Sequence, residues 1–504
     1  MSLETTLGAA QRQPDFVLWP HAQATRWRAI AARDAGGGLA LLADRAVDRL
    51  LLQLAQAQWQ QPVAWVQCSA AELDAWLAEG ASQFRALDQL APAAEPVAGL
   101  DQTYEVAPHT LEDASSPVVA LLDAVLHDAL LDDVSDIHIE RHGQGADIRF
   151  RVDGVMASIR RIDSIALAER VISRLKVMAE LDIGERRLPQ DGRFRLQMLG
   201  RVVDLRLSIM PTTFGEDAVL RVLDRMRGAA ADQVITLDGL GFDSTTRGAL
   251  RVLARQPHGM LLITGPTGSG KTTTLYALLS EIRTGREKII TIEDPVEMQL
   301  AGVTQIPVNE RKGLGFARGL RSILRHDPDR VMVGEIRDPE TAQIAVQAAL
   351  TGHLVFSTVH ANNALDVIGR FLHMGLDPYH VVSSLSAVLA QRLMRINCQH
   401  CSQVVTPEPA VLARFGLSAQ EQAFSKGAGC SHCRGSGYRG RRAVSELLTL
   451  DDEMRDLIAT RAPGARIKAC ARARGMVSLR ENALAWVCQG LTTFEELERV
   501  TLAE

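Results

Sequence analysis

Aromatic side chains are scarce in this chain: Phe, Trp and Tyr together make up 4% of 504 residues. Grooves for single-stranded nucleic acid stack bases on aromatics set among basic residues, and no such interleaving occurs here. A dominant sign of charge is also missing, with 55 Lys and Arg against 60 Asp and Glu and a formal net charge of −5. A general nucleic-acid binder carries a basic excess, so no specific nucleic-acid partner is expected. There is no run of 18 apolar residues, which leaves nothing for a transmembrane helix. The start, Met1 to Leu7, has neither the basic region nor the apolar stretch of a secretory signal. The expected location is cytoplasmic, with peripheral attachment to a membrane only through partners. Cysteine is sparse as well, but four of the seven fall in two Cys-x-x-Cys pairs, Cys398 with Cys401 and Cys430 with Cys433. In a reducing compartment such pairs read as metal ligands rather than disulfides.

What is present is ordinary globular composition, 46% apolar and 23% charged, over a length that predicts about three domains. Residues 1–112 hold five of the six tryptophans and read as a docking domain. Apolar spacing there predicts helices over Leu39–Ala57 and from Glu72 to Leu77, and Pro92, Pro96 and Pro108 mark 91–108 as a linker. Residues 113–226 read as a small α+β domain. A helix carrying Val118, Leu121, Leu122, Val125, Leu126 and Ala129 leads into an alternating strand, Val134 to Glu140. A turn over Arg141–Asp147 returns the chain through Ile148–Val152, and Asp153-Gly154 turns it again. A helix over Ile165–Ala179 follows, then a hairpin pairing 193–197 with 202–208. Residues 227–240 read as a connector with three alanines at 229–231. Residues 241–504 alternate apolar strands (259–264, 288–292, 331–333, 354–358) with helical stretches, the pattern of a largely parallel sheet.

The third region carries the chemistry. Gly265-Pro266-Thr267-Gly268-Ser269-Gly270-Lys271-Thr272 follows an apolar strand and opens a helix. This spacing is a P-loop: backbone N–H groups cradle a polyphosphate, Lys271 reaches its outer phosphates and the Thr272 hydroxyl holds Mg²⁺. The helix N-terminus adds its dipole. Hydrolysis needs more. Acidic clusters follow two later strands, Glu293-Asp294-Pro295-Val296-Glu297 and Glu335 with Arg337 and Asp338, and His360 follows a third. Functional groups in open α/β sheets gather at the carboxyl ends of strands, so one acid should serve Mg²⁺ and another the attacking water. The cysteine quartet suits a four-thiolate Zn²⁺ site with no open position, hence structural, within a unit spanning 395–440.

Four blocks in order now resemble a known family, the ATPases of type II secretion systems and of type IV pilus assembly. They are Gly265–Thr272, Thr291–Glu297, Val331–Asp338 and Thr351–His360. The resemblance spans about 113–500 and implies a RecA-like P-loop ATPase domain, preceded by an α+β domain and an N-terminal docking domain, with a tetracysteine zinc insertion. It implies that Glu335 assists Mg²⁺ and water, that Glu293 is the general base and that His360 meets the γ-phosphate. It implies that Arg193 and Arg206, within Gln190–Arg193 and Asp204–Arg206, act as arginine fingers. It implies a homo-hexamer whose turnover drives an inner-membrane platform protein, with residues 1–112 gripping the cytoplasmic domain of an inner-membrane secretion protein. The size of that region and the stretch 44–83 resemble the secretion branch. A DNA-translocating motor is disfavoured by the acidic charge, and an idle scaffold by the intact catalytic blocks.

Overall fold

A computed structural model describes residues 116–198, 201–223, 235–417 and 424–501 without interruption. Of the first 106 residues it describes 13–16, 18–19, 21–33, 38–47, 51–52, 55–56, 59, 63–83 and 104–106. The chain forms two compact units, Met1–Arg225 and Met226–Glu504.

Among the described residues the first unit forms two sheets. In the four-stranded one, β1 (Gln13–Pro14), β2 (Ala29–Arg33), β3 (Leu39–Ala43) and β4 (Ala64–Gln67) lie in chain order. The helical reading of 39–57 is therefore corrected: Leu39–Ala43 is a strand buried at every residue. A short, wholly apolar run has no period to separate strand from helix. The helix expected at Glu72 is present as Ala70–Gln83.

The seven-stranded sheet has the order β5-β9-β10-β11-β6-β7-β8. Its strands are β5 (Tyr104–Val106), β6 (Asp136–His142), β7 (Gly145–Val152), β8 (Val155–Ile162), β9 (Gln190–Met198), β10 (Arg201–Thr212) and β11 (Gly215–Leu223). β5 falls inside the stretch read as a linker and pairs in parallel with β9; the rest of that stretch lies outside the described residues. The turn expected over 141–147 is shorter, because Arg141 pairs with Ala146 and His142 with Gly145. Helices Pro117–Leu131 and Ile165–Met178 bury their apolar faces on this sheet, with Ile137, Ile139, Ile148, Leu205 and Leu207 in the shared core. The connector read over 227–240 lies mostly outside the described residues, including its three alanines.

In the second unit a seven-stranded sheet runs β14-β13-β15-β16-β12-β17-β20. These are β12 (Gly259–Thr264), β13 (Ile289–Glu293), β14 (Thr304–Pro307), β15 (Arg330–Val333), β16 (Leu354–Val359), β17 (Leu385–Asn397) and β20 (Tyr438–Thr449). Pairing is parallel from β14 to β17 and antiparallel only at β20. Strands β12, β13, β15 and β16 are buried at every residue, as a sheet covered by helices on both faces requires. A small ribbon, β18 (Ser402–Val404) with β19 (Ser425–Gly427), accompanies the cysteines.

Candidate nucleotide site and metal centre

The carboxyl ends of β12, β16, β15 and β13 lie side by side and present the motif residues in a row. Leaving β12, the chain turns through Gly265 at φ 148°. A Cβ there would lie 2.5 Å from the Gln391 carbonyl and 2.6 Å from Ser269 Oγ, so only glycine fits. Gly270, at φ 85°, begins the helix Lys271–Ile282 in the left-handed conformation that favours glycine. Gln391, fully buried on β17, donates to the Ser269 carbonyl at 2.7 Å and accepts from Thr274 Oγ1 at 3.0 Å. It braces the loop from below, a role that no local pattern assigns.

Lys271 Nζ folds onto its own loop, donating to the carbonyls of Gly265 (2.9 Å) and Pro266 (3.0 Å). Burial pushes its ammonium below the usual lysine range, opposed by Glu335 and helped by Arg392. Thr272 is exposed at the helix start. The loop thus fits an anion, with a partly desolvated cation beside exposed backbone donors.

Glu335 follows β15, and Arg337 Nη2 meets its Oε1 at 2.6 Å. His360 Nε2 lies 3.4 Å from its Oε2. Burial, and then Lys271, push the His360 imidazole below its ordinary range despite Glu335. The strand end bearing His360 is tied to the P-loop strand: Thr264 Oγ1 donates to the Ala361 carbonyl (3.0 Å) and accepts from its N–H (2.9 Å). The structure therefore brings Lys271, Glu335 and His360 together, and adds Arg337 and Arg392.

Glu293 sits differently. It is 3% exposed and shares the sheet face of Thr291, against the P-loop helix. Tyr276 donates to its Oε2, while Thr291 Oγ1 (2.5 Å) and Gln305 Nε2 (3.0 Å) donate to Oε1. Both oxygens are engaged, whereas Asp294 and Glu297 of the same segment are exposed.

In the first unit, Arg193 on β9 faces Arg206 on β10, which faces Arg221 on β11. Arg221 was missed in the sequence because only the strand register reveals it. Arg221 is paired with Asp136 at 3.0 Å; among the described residues Arg193 and Arg206 have no ion pair.

The four cysteine sulfurs lie within 4.8 Å of one another. Cys398–Cys430 is 3.9 Å, Cys401–Cys433 3.7 Å and Cys430–Cys433 3.7 Å. Tetrahedral zinc with Zn–S bonds of about 2.3 Å needs sulfurs about 3.8 Å apart, so the quartet fits. Burial opposes ionisation of Cys433, but N–H groups of Cys430 (3.2 Å) and Gly437 (3.3 Å) donate to its sulfur and bring the thiol down to about 7. His400 and His432, one in each cysteine pair, stack 3.9 Å apart.

This fold and site define a P-loop ATPase. Residues 111–499 match the family described as type II/IV secretion system protein, and the chain belongs to that family. It is 40% identical over 488 residues to the type II secretion system protein HxcR of Pseudomonas aeruginosa, covering 96% of this chain and 99% of that one. It is 45% identical over 399 residues to the type IV pilus assembly ATPase PilB of Thermus thermophilus, covering 79% of this chain and 44% of that one. The X-ray structure of the Legionella pneumophila ATPase DotB shares the fold at a TM-score of 0.55 and 20% identity, over 75% of this chain and 94% of that one. No helix among the described residues is long and apolar enough to cross a membrane.

Proposed function

We propose that this chain hydrolyses ATP in its second unit and uses the turnover to drive pseudopilus assembly and protein export by type II secretion. The observation that carries this is the P-loop cradle with Glu335 and a neutral His360 at neighbouring strand ends. Mg²⁺ would be held by the Thr272 hydroxyl and Glu335, and would neutralise charge on the phosphates. Lys271 would leave the carbonyls of its own loop for the phosphates. His360, neutral, would donate or accept a hydrogen bond at the γ-phosphate. Arg193 and Arg206 are proposed to neutralise charge developing on the transferred phosphoryl. Zn²⁺ on the four cysteines would be structural, since no ligand position stays open.

The water-activating role, expected of Glu293, we give instead to Glu297. A base must reach its proton within hydrogen-bond distance, and both Glu293 oxygens are held by three hydrogen bonds, two of them buried. Asp294 lies in the field of Arg337, while among the described residues Glu297 has no ion pair. The working form is proposed to be a homo-hexamer in the cytoplasm. It would be held at the inner membrane through residues 1–112 on the cytoplasmic domain of a secretion protein, and would act on a platform protein. A pilus-assembly role is the second reading, supported by the PilB relative; the match to HxcR over 99% of its length favours secretion.

The test is steady-state ATP turnover with analogue binding. Glu297→Gln and Glu335→Gln should bind nucleotide yet turn over roughly a hundredfold or more slowly, the scale of lost general-base catalysis. Normal turnover in Glu297→Gln with loss in folded Glu293→Gln returns the base to Glu293.

A further inference from the structure

Tyr276 lies on the P-loop helix five residues beyond Lys271 and is 2% exposed. Its hydroxyl does two things at once. It donates to the Glu293 carboxylate and accepts from the backbone N–H of Glu297 at 3.2 Å. Burial, and then Glu293, push the phenol above its ordinary range, so it stays protonated as the donor. The carboxylate it meets is the hub of the acidic segment. Gln305, which donates to Glu293, also donates to the Met298 carbonyl (2.9 Å) and accepts from the Leu300 N–H (2.7 Å). The Glu293 carbonyl accepts from the Val308 N–H at 2.8 Å. The segment from 293 to 308 is thus wound around one buried acid.

Such a hub is an expensive way to hold a loop. A buried carboxylate costs stability unless every lone pair is satisfied, and well-packed apolar residues often replace such groups without loss. What the polar network adds over an apolar core is a fixed position. One contact in it, the Tyr276 hydroxyl, comes from the helix that begins with Lys271. The same helix is gripped on another face by Gln391 through Thr274.

We propose that Tyr276 is a positioning residue for hydrolysis: its hydroxyl ties the P-loop helix to the buried Glu293 hub and to the Glu297 backbone, and so places the Glu297 carboxylate. This rests on the reading of Glu297 as the water-activating acid. That one oxygen joins the helix beginning at Lys271 to the Glu297 backbone. Lys271 and Ser269 of the P-loop are held by other contacts, to the Gly265 and Pro266 carbonyls and to Gln391.

The experiment compares full-length Tyr276→Phe with wild type for kcat, KM for ATP and binding of a non-hydrolysable ATP analogue. A misplacement of about 1 Å costs up to roughly a hundredfold in rate. Tyr276→Phe should therefore lose about ten- to hundredfold in kcat, with KM and analogue binding within about threefold. In a Glu297→Gln background it should cost nothing further, because the group it positions is gone. An unchanged kcat overturns the proposal, even if the protein is less stable, since a merely structural tyrosine would lower stability alone. Should Tyr276→Phe not fold, Thr291→Val breaks the same hub from the strand and must show the same split between kcat and KM. Full turnover in Glu297→Gln overturns the underlying reading and the proposal with it; a dead Glu297→Gln beside a normal Tyr276→Phe overturns only the proposal.

Discussion

Asp123 gives a stability prediction with a worked sign. It lies on the helix Pro117–Leu131, whose neighbouring Leu121, Leu122, Val125 and Leu126 are buried in the core of the second sheet. Burial raises its carboxyl from 3.8 to about 6, against the pull of Arg174. The folded state therefore holds this proton more tightly than the unfolded chain. Its destabilising effect is absent below about pH 4, grows as pH rises towards 6 and is constant above that. A shift of roughly two units corresponds to about 3 kcal/mol, and a half-buried amide in its place gives some of that back. Asp123→Asn should thus stabilise this region by about 1–3 kcal/mol at pH 7.5 and not at pH 4. Residues 113–226 contain no tryptophan, so fluorescence would follow the wrong part of the chain. Hydrogen exchange of peptides from β6, β10 and β11, measured for both proteins at both pH values, reads the effect directly. A variant no more stable at pH 7.5, or equally stabilised at both, refutes the burial argument.

Lys271→Ala removes a charged phosphate partner worth about 1.5–3 kcal/mol, so nucleotide affinity measured by titration should drop roughly ten- to hundredfold. Cys433→Ser removes one thiolate and the acceptor for two N–H groups; metal analysis should find less than one zinc per chain, and exchange protection over 425–438 should fall. His360 is held below its ordinary range by burial and Lys271. Its protonation should therefore touch turnover only below about pH 6.5, and a pH–rate profile with a limb at 7 assigned to His360 by substitution would contradict this.

The P-loop was legible in the sequence because its chemistry is local: Gly265 and Gly270 are required by backbone angles within eight residues of each other. The cysteine quartet was legible for a similar reason, each pair closing a short turn. Glu335 and His360 were placed correctly at strand ends because parallel strands align those ends. Glu293 shows where such reading stops. An acid at the end of a strand looks the same whichever way it points, and here it shares the face of Thr291 towards Tyr276. Facing is decided by the helix packed below, which no local pattern encodes. Arg221 and Gln391 were hidden for the same reason. Arg221 is a neighbour of Arg206 only through the β10–β11 register, and Gln391 reaches the P-loop because β17 lies beside β12. Leu39–Ala43 failed on length alone, being too short and too uniformly apolar to show a period.

The central claim is that ATP turnover at Glu335 drives type II secretion. It is tested most directly by deleting the gene in its source organism and complementing with wild type or Glu335→Gln, scoring secreted proteins and surface pili together. The account predicts that deletion abolishes secretion, leaves pili intact and is rescued by wild type alone. Lost pili with secretion intact, or full rescue by Glu335→Gln, would contradict it.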